Sequence, residues 1–63
     1  MTLKRLLDAT AFQTFVIIKD TTDYTTIYKG SNRSAPENLN HFEVVEIFAI
    51  RDNVLEIYIN TLS

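Results

Sequence analysis

Glu43-Val-Val-Glu-Ile-Phe-Ala-Ile-Arg-Asp-Asn-Val-Leu-Glu-Ile-Tyr-Ile-Asn60 reads as two β-strands joined around a short polar turn, and it decides the fold. Successive side chains of a strand alternate between faces, so Val45, Ile47 and Ala49 share one face of the first strand and Leu55, Ile57 and Ile59 one face of the second. For both sets to lie on the same side of an antiparallel pair, odd positions must oppose odd positions. A two-residue turn at Asp52-Asn53 sets Arg51 against Val54 and Ala49 against Glu56, which breaks the match. A three-residue loop, Arg51-Asp52-Asn53, instead pairs Ile50 with Val54, Ala49 with Leu55, Ile47 with Ile57 and Val45 with Ile59. Asn53 then stands where such a loop calls for a left-handed residue, a conformation asparagine tolerates better than most. A slip of one residue would turn the whole aliphatic set to solvent, so the register is strongly specified.

The chain has 63 residues. That is one domain, residues 1–63, near the lower limit for unaided folding, where only ~60% of the extended surface is buried. With no cysteine, neither disulfides nor a thiolate metal site can supplement the core, and a cytoplasmic location is expected. Leu3, Leu6 and Leu7 beside Lys4 and Arg5 form an apolar run that Asp8 ends too early for a signal sequence. No later stretch approaches the ~18 apolar residues of a membrane span, so no membrane partner is expected. Eight acidic and six basic side chains give a formal charge of −2, and the basic ones are scattered. The electrostatic footprint of a duplex-binding protein is missing.

Upstream, Thr2 is placed to cap a short helix carrying Leu3, Leu6, Leu7 and Ala11 at helical spacing. Lys4 and Arg5 near its start and Asp8 near its end oppose the helix dipole, so packing must hold it in place. Thr14–Lys19 and Thr25–Lys29 are β-branched and aromatic, with turn-like Asp20-Thr-Thr-Asp23 between them. They predict a first hairpin in which Val16 pairs with Ile27. Ser34-Ala-Pro-Glu37 has the form of a capping box and predicts one helical turn over Ala35–Asn40, with Leu39 inward. The expected architecture is α+β: a four-stranded antiparallel sheet of two hairpins, a short N-terminal helix on one face and a single helical turn between the hairpins. A small curled, barrel-like β fold is the alternative. The expected core joins the helix leucines to Val16, Ile18, Ile27, Val45, Ile47, Leu55, Ile57 and Ile59.

Chemistry is sparse. His41 is the lone histidine, and Ser31, Ser34 and Ser63 are its candidate nucleophiles, all in loops or at the terminus. One histidine and no cysteine offer no ligand set at recognised spacing, so no catalytic residue, cofactor or metal is assigned. Asp20 and Asp23 lack the glycine and distal glutamate of a calcium hand and read as turn formers. Glu46 and Glu56 fall diagonally on the outer face of the second hairpin, but acid/base work on a glycoside would need a cleft around them. Gly30 alone makes no phosphate loop, and Asn32-Arg33-Ser34 is a glycosylation sequon with no secretory signal to make it relevant.

The remaining signal is apolar. Val44, Phe48, Ile50, Val54 and Tyr58 are the candidate interface residues, a patch too large for a comfortable monomer surface and edged by charge, as interface centres are. A protein partner or a second copy of the chain fits it. Phe15, Tyr24, Tyr28, Phe48 and Tyr58 could also stack single-stranded nucleic acid, but stacking platforms normally carry lysine or arginine where this one carries Glu46 and Glu56.

Taken together, Leu6-Leu7, Thr14-Phe-Val-Ile-Ile-Lys-Asp20, Ile27-Tyr-Lys-Gly30, Pro36-Glu-Asn-Leu39, Val44-Val-Glu-Ile47 and Val54-Leu-Glu-Ile-Tyr-Ile59 resemble small uncharacterised proteins encoded by phages and mobile elements of Gram-positive bacteria. The resemblance covers most of the chain and implies an intracellular accessory protein. It supplies no site residues. The expected role is therefore a non-enzymatic interaction module, self-associating through the outer sheet face or an edge strand, with weak single-stranded nucleic-acid binding as the alternative.

Overall fold

The computed structural model describes residues 1–62. Ser63, one of the candidate nucleophiles, lies outside the described residues. Helix α1 spans Leu3–Ala9 and is followed by strands β1 (Phe15–Asp20) and β2 (Thr26–Ser31). Two 3₁₀ turns, Asn32–Ser34 and Glu37–Leu39, lead to β3 (Glu43–Arg51) and β4 (Val54–Asn60). The strands form one sheet in the order β2-β1-β4-β3, open at both edges rather than closed into a barrel. Each hairpin is antiparallel, as expected. The seam between them is parallel, with β1 beside β4 from Phe15 opposite Val54 to Asp20 opposite Ile59, so the sheet is mixed.

Local chemistry accounts for the helix. The Thr2 hydroxyl accepts from the Arg5 amide at 3.4 Å, and Thr10 ends the helix by donating its amide to Leu6 O and its hydroxyl to Leu7 O. Ala11 falls beyond that end. Lys4 and Asp8 pair across one turn at 3.4 Å, an exposed contact that contributes little. Packing holds the element: Leu3, Leu6 and Leu7 lie on Val16 and Ile18 of β1, Ile57 and Ile59 of β4, and Leu39 of the second 3₁₀ turn. All four of these strand residues come from the two central strands.

Several expectations about the margins are corrected. Val16 pairs with Gly30, not Ile27. Ile27 is an extra residue between the Ile18–Tyr28 and Lys19–Thr26 pairs, and it is exposed rather than core. Tyr28 takes the inward position. Its hydroxyl donates to Ser31 O at 2.8 Å, and its ring crosses Gly30, where a Cβ would sit 2.7 Å from the phenolic oxygen. With φ at 153° as well, that position requires glycine. The capping box does not form: Ser34 closes the first 3₁₀ turn, and Pro36 starts the second without a side-chain cap. Leu39 is buried as expected.

In the second hairpin the inner pairs Ile47–Ile57 and Ala49–Leu55 are as read from the sequence, and Asn53 has φ of 60°. The turn differs. Arg51, not Ile50, faces Val54, and Ile50 becomes an extra residue that restores the odd-to-odd match. A second extra residue, Val45, leaves Val44 rather than Val45 opposite Ile59. Val45 and Ile47, expected in the core, are 52% and 41% exposed. Helix α1 is only ~10 Å long at ~1.5 Å per residue, too short to cover the central strands and the distal half of β3 together.

Candidate interaction surface

Alternation along the strands sends Phe15, Ile17 and Lys19 of β1, Val54, Glu56 and Tyr58 of β4, and Glu46 and Phe48 of β3 to the face opposite α1. Tyr58 is the hub. Phe48 meets its ring edge-on at 5.7 Å between centroids, and Tyr24, held at φ of 61° in the β1–β2 loop, meets it at 6.0 Å. Each such pair is worth about 0.5–1.5 kcal/mol beyond area burial. The Lys19 ammonium lies 5.9 Å from the ring centroid and 3.5 Å from Glu56 Oε2, while the Tyr58 hydroxyl donates to Glu56 Oε1 at 3.0 Å. Lys19 reaches this position because the parallel seam sets it beside Tyr58.

Desolvation raises the Tyr58 phenol above its ordinary pKa of 10.0, assisted by the hydrogen bond to Glu56 and by the Glu56 charge, and opposed by Lys19. A group whose folded pKa is raised contributes stability that is complete below its unfolded pKa and is lost as pH climbs through the folded one. That window lies above pH 10. In Glu56→Gln the phenolate should form at lower pH than in the native chain, read from ultraviolet absorbance. An unshifted titration would remove Glu56 as a cause.

The five candidate residues separate. Phe48 and Tyr58 touch, and Val54 lies on the same face beside Phe15. Ile50, 49% exposed, sits at the margin next to the turn. Val44 belongs to the other face: it packs against the core cluster, and its amide donates to Met1 O at 2.9 Å. Lys19 joins the surface through the parallel seam and Val45 as an extra residue, neither with a sequence signal, and Tyr24 reaches it from the β1–β2 loop, while Ile47 stays on the helix face opposite Ile57 and is exposed there.

The other candidates are engaged locally. His41 stacks on Phe42 at 4.1 Å, and Ser31 Oγ accepts from the Arg33 amide. Asp20 accepts from the Thr22 amide and Asp23 from the Thr25 amide, as turn residues do, and Asp20 also accepts from the Thr61 hydroxyl, which follows β4. Among the described residues no three His, Asp or Glu side chains group as a metal site, and no helix is long and apolar enough to cross a membrane. A cleft of about 170 Å³ between α1 and the 3₁₀ turns, lined by Lys4, Asp8, Asn32, Arg33 and Glu37, is smaller than the ~300 Å³ at which small-molecule sites begin.

No protein-family model, curated protein or solved structure matches the chain.

Proposed function

We propose that the protein is a small, non-enzymatic interaction module that binds another protein chain through β3 and the adjoining outer face. One observation carries this: Val45, Ile47, Phe48 and Ile50, four large apolar side chains on a single edge strand, are each between 41% and 52% exposed. Edge strands that must stay unpaired are usually short, charged or interrupted by proline, and apolar clusters this dense mark contact sites. The cysteine-free composition and the resemblance to small phage and mobile-element proteins support a cytoplasmic accessory role. Nucleic-acid stacking on the same rings has less support, because Lys19, the cation among them, is paired with Glu56.

The test is size fractionation of native extract containing either the native chain or Phe48→Lys, with thermal unfolding as the control for folding. The native chain is expected in a species larger than the free protein, and Phe48→Lys, half-exposed and so nearly as stable, is expected to leave it. A native chain that elutes free, or a variant that stays in the larger species, overturns the proposal.

A further inference from the structure

The proposed interaction has a specific occupant: we infer that the open edge of β3 pairs antiparallel with β3 of a second copy, about a two-fold axis at Phe48. The inference rests on the interaction reading above and adds partner and register to it.

Phe15 N donates to Asn53 O at 2.8 Å and Thr21 N to Ile59 O at 3.0 Å, so odd-numbered β4 residues turn their peptide groups toward β1. Even-numbered Glu56 and Tyr58 therefore turn theirs toward β3, where they face Phe48 and Glu46. The intervening residues, Ile47 and Ala49, point N–H and C=O away from the sheet.

The open edge also has defined limits. At its start, Leu3 N donates to Phe42 O and Val44 N to Met1 O, each at 2.9 Å, and Thr2 bridges Glu43. The N-terminal residues thus occupy the edge as far as Val44. What stays free is Val45 to Arg51, and its midpoint is Phe48.

An antiparallel ladder pairs residues whose peptide groups both point across the contact or both point away, so an odd position of β3 cannot face an even one of the second copy and the two-fold axis must fall on a residue. Centred at Phe48, the pairing sets Ile47 opposite Ala49 of the second copy and gives about four N–H···O bonds from the groups that point outward. The two Phe48 rings meet on the outer face, and Ile47 is covered on the inner one. Charge agrees. Glu46 and Arg51 are the charged residues of the free edge. The axis brings Arg51 of one copy to the end that carries Glu46 of the other, with no like charges opposed. Edge strand β2 lacks this fitness: it is shorter, and it carries Lys29, Gly30 and the extra residue Ile27.

The chain has no cysteine, so Phe48→Cys introduces a single thiol. Facing Cβ atoms in such a pair lie ~4.5–5.5 Å apart, close to disulfide reach. Under mild oxidation Phe48→Cys should form a disulfide dimer many times faster than Lys29→Cys on the other edge. Sedimentation of the native chain at about 100 µM should give twice the 7.3 kDa monomer mass. Ala49→Pro removes an outward N–H that β4 does not use, so the variant should keep its circular dichroism spectrum and sediment as a monomer. A native chain that is monomeric at this concentration, or equal crosslinking at the two cysteines, overturns the pairing. If the purified chain is monomeric while Phe48→Lys still loses a larger species in extract, self-pairing fails and the interaction reading stands. If the extract species is absent too, both fail.

Discussion

Ile57→Ala is expected to leave a large fraction of the chain unfolded in water at 25 °C, whereas Ile47→Ala, directly across the strand pair, should cost about 1 kcal/mol or less. The two residues oppose each other on the same face of the β3–β4 hairpin. Ile57 is fully buried among Leu3, Leu6, Leu7 and Ile18, and Ile47 is 41% exposed. Truncating a buried isoleucine costs about 2–5 kcal/mol, because the lost transfer energy is joined by a cavity that the surroundings only partly fill. Total stability at ~0.05–0.15 kcal/mol per residue is only about 3–9 kcal/mol for a chain this short. Urea titrations followed by circular dichroism, at a concentration below any self-association, separate the two variants. Equal costs would mean that the inner face of β3 is covered as well as that of β4.

The next largest effect is expected from Asn32→Asp, at about 3 kcal/mol near pH 7. Asn32 is a buried polar residue of the first 3₁₀ turn, and its Nδ2 donates to Thr10 Oγ1 at 2.7 Å and to Ala11 O at 3.0 Å. Its own amide donates to Thr14 O at 2.9 Å. The side chain thereby ties the end of α1 to the connection that crosses from β2 to β3. Aspartate replaces the donor by an oxygen facing the Ala11 carbonyl. The Thr10 hydroxyl cannot turn to help, since it already donates to Leu7 O. A buried carboxylate without donors costs several times a neutral hydrogen bond. Burial raises the folded pKa of the introduced acid, so the deficit should be smallest below the unfolded carboxylate value of ~3.9 and should grow as pH rises through the folded one. Thermal midpoints of the variant relative to the native chain between acidic and neutral pH measure this. A deficit independent of pH would show that charge is not its source.

Sequence pattern was informative where a residue's partner is close along the chain. The β3–β4 ladder at Ile47–Ile57 and Ala49–Leu55, the left-handed Asn53, the Thr2 cap and the inward Leu39 all follow from alternation, turn chemistry or capping within a few residues. The three extra residues did not follow. Val45 and Ile50 are β-branched and apolar like their neighbours, so period-two reading counts them as ordinary strand positions and slips the register by one at each. Ile27 leaves the core for the same reason, the partner of Val16 moves three places to Gly30 because Tyr24 and Thr25 also precede β2, and the Gly30 position under Tyr28 depends on a ring crossing that local pattern does not encode. The surface was half legible. Phe48 and Tyr58 were placed together by the hairpin register, while Lys19 and Tyr24 reach Tyr58 through tertiary pairing. Val44 turns to the helix face and not the outer one because the extra residue at Val45 reverses the alternation there.

The parallel seam has a kinetic consequence. Phe15 and Val54 become neighbours although 39 positions separate them, and the buried strand residues divide evenly, Val16 and Ile18 on one ribbon, Ile57 and Ile59 on the other. Neither ribbon can complete a core before the two meet. Each can nucleate at its own turn within microseconds, but the encounter must close a long loop before any apolar contact rewards it. The folding rate should therefore be set by ribbon docking, so that substitutions along β1 and β4 slow folding while those at the Asp52-Asn53 turn change mainly how often a docking-ready ribbon is present.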